Sequence, residues 1–448
     1  MSRPKINDEF TVKIDGVDPK GRGVFKIDER TCLAYFTVPG DTVRGAISSR
    51  TKGTLRLRVE EVVEPSPDRV NPPCVSAGHC GGCPWQMMRY DIQCAIKLEH
   101  VNKEFFDLGI DLKVTDLVPA PNQLHYRNRM DYVFGTGNEL GLKEPEQWSK
   151  VLDLPECLLL SPEAPKIMAL VRAYAARNQI APYDQRTGAG LLRYLVIREG
   201  KNTNERMAMI VTSDAATLPA EQELIAALSP FATSIIHGVN PELSDVSIPK
   251  IIRPLLGPPY LTEKINGLVY KIQPASFFQT NREMAALLQK TVVAFAAVKP
   301  DETCLDLYCG NGFLTLALAE RGHETIGVEL DEAAVAAARE NAALNNIGNV
   351  IFSAGASESI LPIVLIRDKP DVIVVDPPRP GLHPAALSEL MAYRAKRLVY
   401  VSCNPNSLAH DLKTLLDIYE VKATRCLDLF PHTPHVETVV SLALKNER

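Results

Sequence analysis

The spacing of apolar residues along this 448-residue chain changes its period more than once. Over residues 1–65 apolar and polar positions alternate in short runs: Phe10-Thr-Val-Lys-Ile, Gly23-Val-Phe-Lys-Ile, Cys32-Leu-Ala-Tyr-Phe-Thr-Val, Thr42-Val-Arg-Gly-Ala-Ile and Leu55-Arg-Leu-Arg-Val. A period of two places one side of each run on a core. Five such runs, with turn signals at Gly21-Arg-Gly-Val and Val38-Pro-Gly-Asp, predict a small β-barrel. Barrels of this size carry oligonucleotides or act only as stability modules, and fold alone does not choose. The proline-bearing stretch 65–73 reads as a linker, and residues 89–108 follow a helical period. Residues 125–270 predict a mixed α/β segment with strands near 126–134, 192–198, 207–211 and 234–239.

After Val298 strand and helix patterns alternate. Strands are predicted near 303–308, 324–329, 349–353, 371–376 and 397–402, with helices near 313–321, 331–344, 383–395 and 406–416. Two further strand-like runs, 421–430 and 436–444, close the chain. This rhythm predicts an α/β domain built on a doubly wound parallel sheet. The expected organisation is a barrel over 1–65, a central α/β domain over 74–272 and a C-terminal domain over 273–448.

Composition changes this picture little. Apolar (46%) and charged (23%) contents are those of a soluble globular protein. No run approaches a membrane span and the N-terminus has no apolar signal core, so no membrane is expected and the cytoplasm is the expected location. The net charge of −5 is uneven: residues 1–60 hold 12 Lys and Arg against 8 Asp and Glu, which makes the barrel the basic part of an acidic chain. A local RNA-binding face is compatible with this, and so is no partner at all.

Cysteine usage is more pointed. Three of the ten cysteines, Cys74, Cys80 and Cys83, crowd into ten residues, with Gly81 and Gly82 between the last two. In a cytosolic chain this argues for a metal centre, and Cys157 is the candidate fourth ligand. Zinc and an iron–sulfur cluster both suit four thiolates, and spacing does not separate them. Arg127, Arg129, Arg193 and Arg198 interleave with tyrosines, which suits phosphate contact and base stacking as well as it suits solvated strand faces.

Ligands in an open α/β sheet bind outside the carboxyl ends of the strands. Leu398-Val-Tyr-Val401 is a buried strand running out at Cys403 into the turn Asn404-Pro-Asn-Ser407, so the thiol stands at that edge. Asp376-Pro-Pro-Arg379 ends the preceding strand there, with a carboxylate that two prolines hold. Asp306-Leu-Tyr308-Cys-Gly310-Asn-Gly312 ends the first strand, its glycines leaving room for a cofactor. Glu329, at the end of the second, suits a ribose diol. Thr315 occupies the place of the third glycine of the dinucleotide pattern, which favours a mononucleoside such as S-adenosylmethionine. Phe430-Pro-His432-Thr-Pro-His435-Val-Glu437 supplies a candidate general base in Glu437; the two histidines read as structural or surface residues.

Taken together, Ser276-Phe-Phe-Gln279-Thr-Asn281, DLYCGNGFLTLALA, DPPRPGL, VSCNP and HVETVV resemble the RNA uracil-C5 methyltransferases, over essentially the whole chain and in the family's order. The barrel resembles a TRAM (OB-like) domain, and Cys74, Cys80, Cys83 and Cys157 resemble that family's 4Fe–4S ligands. The resemblance implies a Rossmann-like methyltransferase domain, with S-adenosylmethionine and a 4Fe–4S cluster as cofactors. Cys403 would add to carbon 6 of uracil, Glu437 would remove the carbon 5 proton and Asp376 would contact the ring. Gln279, Tyr308, Gly310, Gly312, Glu329 and Asp376 match positions around the cofactor and substrate. Phe277, Arg127 and Arg129 are the RNA-contact candidates. Phe313 and Ala356 depart from residues of some members, which touches cofactor contacts only. The implied partner is RNA, 23S ribosomal RNA ahead of the transfer RNA T-loop, acted on by a monomer. Two rivals remain: a methyltransferase acting on an exocyclic base amine, which needs no thiol, and a nonenzymatic RNA-binding protein.

Overall fold

In the computed structural model, residues 4–445 are described apart from 52, 146, 148, 215 and 216; the outermost residues of the first and last expected domains, 1–3 and 446–448, lie outside them. The alternating N-terminal runs form strands Glu9–Lys13, Gly23–Ile27, Arg30–Ala34, Thr42–Thr51 and Thr54–Glu64, joined by a two-residue strand Gly16–Val17. They make one six-stranded sheet around a small core of Phe25, Val43, Ile47 and Leu57. The stretch expected as a linker is fastened to this sheet. Buried Asp41 accepts from the Ser66 amide (2.9 Å) and pairs with Arg69 (2.6 Å), so the chain leaves the sheet in one direction.

The helix expected at 89–108 spans Tyr90–Asp107. The central segment builds a seven-stranded sheet ordered Val151–Asp153, Leu140–Lys143, Arg129–Phe134, Leu192–Gly200, Glu205–Thr212, Ser234–Val239 and Ile251–Leu256. Arg193 and Arg198 are buried in it and serve as internal clamps, which corrects their reading as phosphate contacts. Arg193 donates to the carbonyls of Asn240 (2.6 Å) and Glu242 (2.5 Å). Arg198 donates to those of Gln273 (2.7 Å) and Ser276 (2.8 Å). Carbonyls satisfied this way need no strand partner, and the 273–276 turn is thereby held against the sheet.

The C-terminal alternation forms an eight-stranded sheet. Strands Val350–Ala354, Glu324–Glu329, Thr303–Leu307, Val372–Val375 and Arg397–Ser402 lie parallel in that spatial order. The two closing strands break the parallel pairing at the sheet's far side. Glu437–Leu444 inserts antiparallel between Arg397–Ser402 and Tyr419–Leu427, because a short loop can join only antiparallel neighbours. Leu117–Val118 adds a last short strand, and helix Ser357–Asp368 was not foreseen. Apolar side chains cover both sheet faces, as a buried parallel sheet requires. Among the described residues no helix is long and apolar enough to cross a membrane.

Candidate active site

Strand register brings the predicted catalytic residues to one edge. Ser402 stands opposite Thr438 in the antiparallel pair, so Cys403, just past one strand, meets Glu437, the first residue of the other. Tyr400 stands opposite Val375 in the parallel pair on the other side, which delivers Asp376 to the same edge. The turn carrying Cys403 is tightly pinned. The Ser402 hydroxyl donates to the Asn404 carbonyl (3.0 Å), and the Asn404 side chain accepts from the Asn406 amide as the cap of helix Pro405–Leu415. Its amide nitrogen donates to the Arg379 carbonyl (2.8 Å), which ties the turn to the Asp376-Pro-Pro-Arg379 loop.

The charges at this edge act on one another. Burial pushes the half-buried Cys403 thiol up to about 11, with Glu437 and Asp376 adding to the rise; Arg379 opposes it by its charge and a hydrogen bond to the thiol. Burial raises Glu437 well above the usual carboxylate range, Asp376 raises it further, and Arg379 works against both. Asp376 itself is pushed up to about 7 by burial and by Asp306. Asp306 reaches about 7 through burial, helped by Glu329, although Thr315 donates to it at 2.6 Å. Glu437, Asp376, Asp306 and Glu329 thus run across the sheet edge: Glu329 raises Asp306, Asp306 raises Asp376 and Asp376 raises Glu437. Such a row favours a cation and repels an anion.

The cofactor end is built for close approach. Tyr308 (φ 72°), Gly310 (φ 54°) and Gly312 (φ 85°) all adopt the left-handed conformation, sparsely populated for a tyrosine and a mark of functional turns. A Cβ on Gly310 would meet nothing within 4 Å, so this backbone faces open space. Its amide donates to Glu329 (3.0 Å). Asp306 Oδ1 and Asn311 Nδ2 are buried with no hydrogen-bond partner, polar atoms waiting for a ligand. Gln279 is buried, its carbonyl accepting from Asn128 (2.9 Å). Phe313 is a core residue, packed edge-on to Phe278 with centroids 5.8 Å apart. Ala356 caps helix Ser357–Asp368, and the Ser357 hydroxyl lies 3.1 Å from that of Tyr308.

Cys403, Arg379 and His435 open into a cleft of about 780 Å³. Its other walls come from every part of the chain: Lys20 and Tyr35 of the N-terminal sheet, Gly81 and Gly82 of the cysteine loop, His100 of the long helix, and Arg127 with Lys143 of the central segment. Arg127 lies over the Phe430 ring (6.0 Å) and beside the Cys83 and Cys157 thiols. Arg129 is drawn into a fork with Asp131 (2.8 and 3.0 Å), while Phe277 is 74% exposed.

All ten cysteines are free. Cys74, Cys80, Cys83 and Cys157 lie within electrostatic reach of one another, and the Gly82 amide donates to the Cys80 sulfur at 3.4 Å. Four thiols, an amide aimed at sulfur and an adjacent guanidinium suit an anionic thiolate centre. Among the described residues, no three Cys, His, Asp or Glu side chains stand ready to hold a single metal ion. Two contributors to the site carried no functional role in the sequence reading. Arg379 sat inside a quoted motif without a role. His435, read as structural or surface, lines the cleft and receives the Arg379 guanidinium at 2.8 Å. Their signal was proximity to Glu437 and Asp376 in those motifs.

Residues 260–445 match the family model described as tRNA (uracil-5-)-methyltransferase. The chain is 37% identical over 439 residues to an uncharacterized RNA methyltransferase of Caldanaerobacter subterraneus subsp. tengcongensis, covering 96% of this chain and 97% of that one. It is 36% identical over 431 residues to an uncharacterized RNA methyltransferase of Nanoarchaeum equitans, covering 96% and 92%. Its structure is similar to that of the Pyrococcus abyssi tRNA (uracil-54, C5)-methyltransferase in complex with S-adenosyl-L-homocysteine. The TM-score is 0.81 at 30% identity, over 97% of this chain and all of that one.

Proposed function

Since this chain belongs to the tRNA (uracil-5-)-methyltransferase family, we propose that it uses S-adenosylmethionine to methylate carbon 5 of a uridine in structured RNA, through a covalent bond from Cys403 to carbon 6. It is an RNA methyltransferase. One observation carries the covalent reading: thiol, guanidinium and two perturbed carboxylates share a single sheet edge that opens into the cleft.

Carbon 5 of uracil is too weak a nucleophile to take a methyl group unaided, and covalent activation removes that difficulty. Cys403 gives up its proton to solvent in the cleft, and Arg379 steadies the negative sulfur before attack. The thiolate adds to carbon 6, the carbon 5–carbon 6 π pair moving to carbon 5 as an enolate. Asp376 accepts the ring N3–H. S-adenosylmethionine, when bound, supplies the methyl group to carbon 5. Glu437 then takes the carbon 5 proton; the freed pair restores the ring double bond and expels the Cys403 thiolate. A carboxylate whose proton affinity burial has raised is a stronger base than a solvated one, which suits this step. The row of carboxylates supports a sulfonium cofactor over an anionic dinucleotide. Glu329 would take the ribose diol, with Gly310 and Gly312 allowing approach.

Cys74, Cys80, Cys83 and Cys157 would hold a 4Fe–4S cluster, which serves as a structural staple because methyl transfer moves no electrons. The reading assigns the chain a TRAM-like barrel over 1–65, an iron–sulfur-bearing domain over 74–272, a methyltransferase domain over 273–448 and a cytosolic setting. The first substrate proposed is 23S ribosomal RNA. A second reading, transfer RNA, draws on the full-length similarity to the archaeal enzyme. The test uses RNA tritiated at uracil carbon 5: cofactor-dependent release of tritium to water, lost in Cys403→Ser, supports the mechanism. Methyl transfer without tritium release moves the assignment to an exocyclic amine.

A further inference from the structure

Leu427 and Glu437 form the closing pair between strands Tyr419–Leu427 and Glu437–Leu444, so 428–436 is a single loop and Glu437 is its last stem position. The loop is held by helix Tyr90–Asp107, more than three hundred residues away in sequence. Lys97, in the middle of that helix, is fully buried, which is rare for lysine. Its ammonium donates to Asp428 Oδ1 (2.6 Å) and to the Phe430 carbonyl (3.0 Å). Tyr90, two turns earlier on the same face, donates to Asp428 Oδ2 (2.8 Å) and accepts from the Ala120 amide (2.7 Å). Gln93 lies between them and accepts from the His432 amide (2.9 Å). The loop then passes along the cleft to His435, the partner of Arg379.

An ion pair buried this deeply does little for stability, since desolvating two charges offsets most of their attraction and an apolar pair can replace it. An apolar pair could neither grip the Phe430 carbonyl nor accept from the Tyr90 hydroxyl, so the ion pair orients the loop. We infer that Lys97, with Tyr90 and Gln93, is a positioning residue that sets where the Glu437 carboxylate stands over carbon 5. This rests on the covalent mechanism above. The step it governs is loss of the carbon 5 proton to Glu437, as the C–H pair forms the ring double bond and the carbon 6–sulfur pair leaves with Cys403. The methyl is already in place by then, so a displaced base leaves enzyme and methylated RNA joined.

The test uses the anaerobically prepared protein, the double variant Lys97→Met/Asp428→Asn, which leaves no unpaired charge, and Tyr90→Phe. In vitro transcripts of 23S ribosomal RNA and transfer RNA serve as substrates. 5-Methyluridine formation, cofactor KM and covalent enzyme–RNA on denaturing gels are measured together. The expected result is product formation at least tenfold slower in the double variant and about threefold slower in Tyr90→Phe. Covalent complex accumulates and cofactor KM is unchanged. Wild-type turnover without accumulation overturns the inference, and so does a parallel fall of complex and product. If the double variant does not fold, Tyr90→Phe decides. A wild-type enzyme that forms no complex with 5-fluorouridine RNA, which has no carbon 5 proton to lose, sinks the covalent mechanism and this inference with it. A wild type that does trap, beside variants that do not accumulate complex, overturns the positioning role alone.

Discussion

Arg379→Gln removes a cation that opposes two carboxylates at the Cys403 thiol. The thiol stands at about 11 with the guanidinium in place, so at pH 8 about one in a thousand is ionised. A hydrogen bond to a charged group contributes about 1.5–3 kcal/mol, and exposure of Arg379 reduces this to about 1–2 kcal/mol. At about 1.4 kcal/mol per unit, the variant thiol moves up by roughly one unit. The thiolate population, and turnover with it, falls roughly 5- to 30-fold. Alkylation of Cys403 by iodoacetamide between pH 8 and 11, read by mass spectrometry of its peptide, reports the thiolate directly. The variant profile should move to higher pH while cofactor KM stays unchanged. A profile that superimposes on the wild type, or moves down, refutes the role given to Arg379.

Binding of cationic S-adenosylmethionine should release protons near pH 7, because it draws Asp306 and Asp376 down from about 7. The bound state holds fewer protons, so affinity rises with pH up to about 7 and then levels; calorimetry in buffers of different ionisation enthalpy measures this, and neutral S-adenosylhomocysteine should release far fewer. Gly310→Ala places a methyl group in the open space of the glycine turn at a left-handed residue. The expected cost is about 1–2 kcal/mol of stability, with cofactor affinity at least fivefold weaker by the same calorimetry. Lys97→Ala leaves Asp428 buried without its counter-charge and should destabilise the protein by about 3–5 kcal/mol in chemical denaturation. Gly21→Ala forces a side chain against Trp85 and Pro434 at 3.0–3.2 Å with φ at +81°; limited proteolysis should then free the N-terminal sheet earlier than in the wild type.

What could be read without the structure follows from the range of each interaction. The Leu398–Val401 run and its Asn-Pro stop are local, and they placed Cys403 at a strand end. Repeated strand–helix alternation located five parallel strands because each unit is self-contained. Pairing order is not local, so the insertion of Glu437–Leu444 beside Arg397–Ser402, which sets Glu437 opposite the thiol, had no signature. Helix Ser357–Asp368 escaped because Pro362, a residue that ordinarily ends helices, lies inside it and its apolar residues mark no single face. Arg193, Arg198 and Lys97 show the sharper limit. A long cation looks the same in sequence whether it grips a phosphate, a backbone carbonyl or a buried carboxylate.

The most direct measurement of the central claim incubates anaerobically prepared enzyme with methyl-labelled S-adenosylmethionine and unmodified 23S ribosomal RNA or transfer RNA, separately. The RNA is then digested to nucleosides. Label in 5-methyluridine from the ribosomal RNA, lost in Cys403→Ala, is the result predicted; label from transfer RNA instead keeps the chemistry and changes the substrate. Label in a methylated base amine, or 5-methyluridine formed at the wild-type rate by Cys403→Ala, contradicts the account.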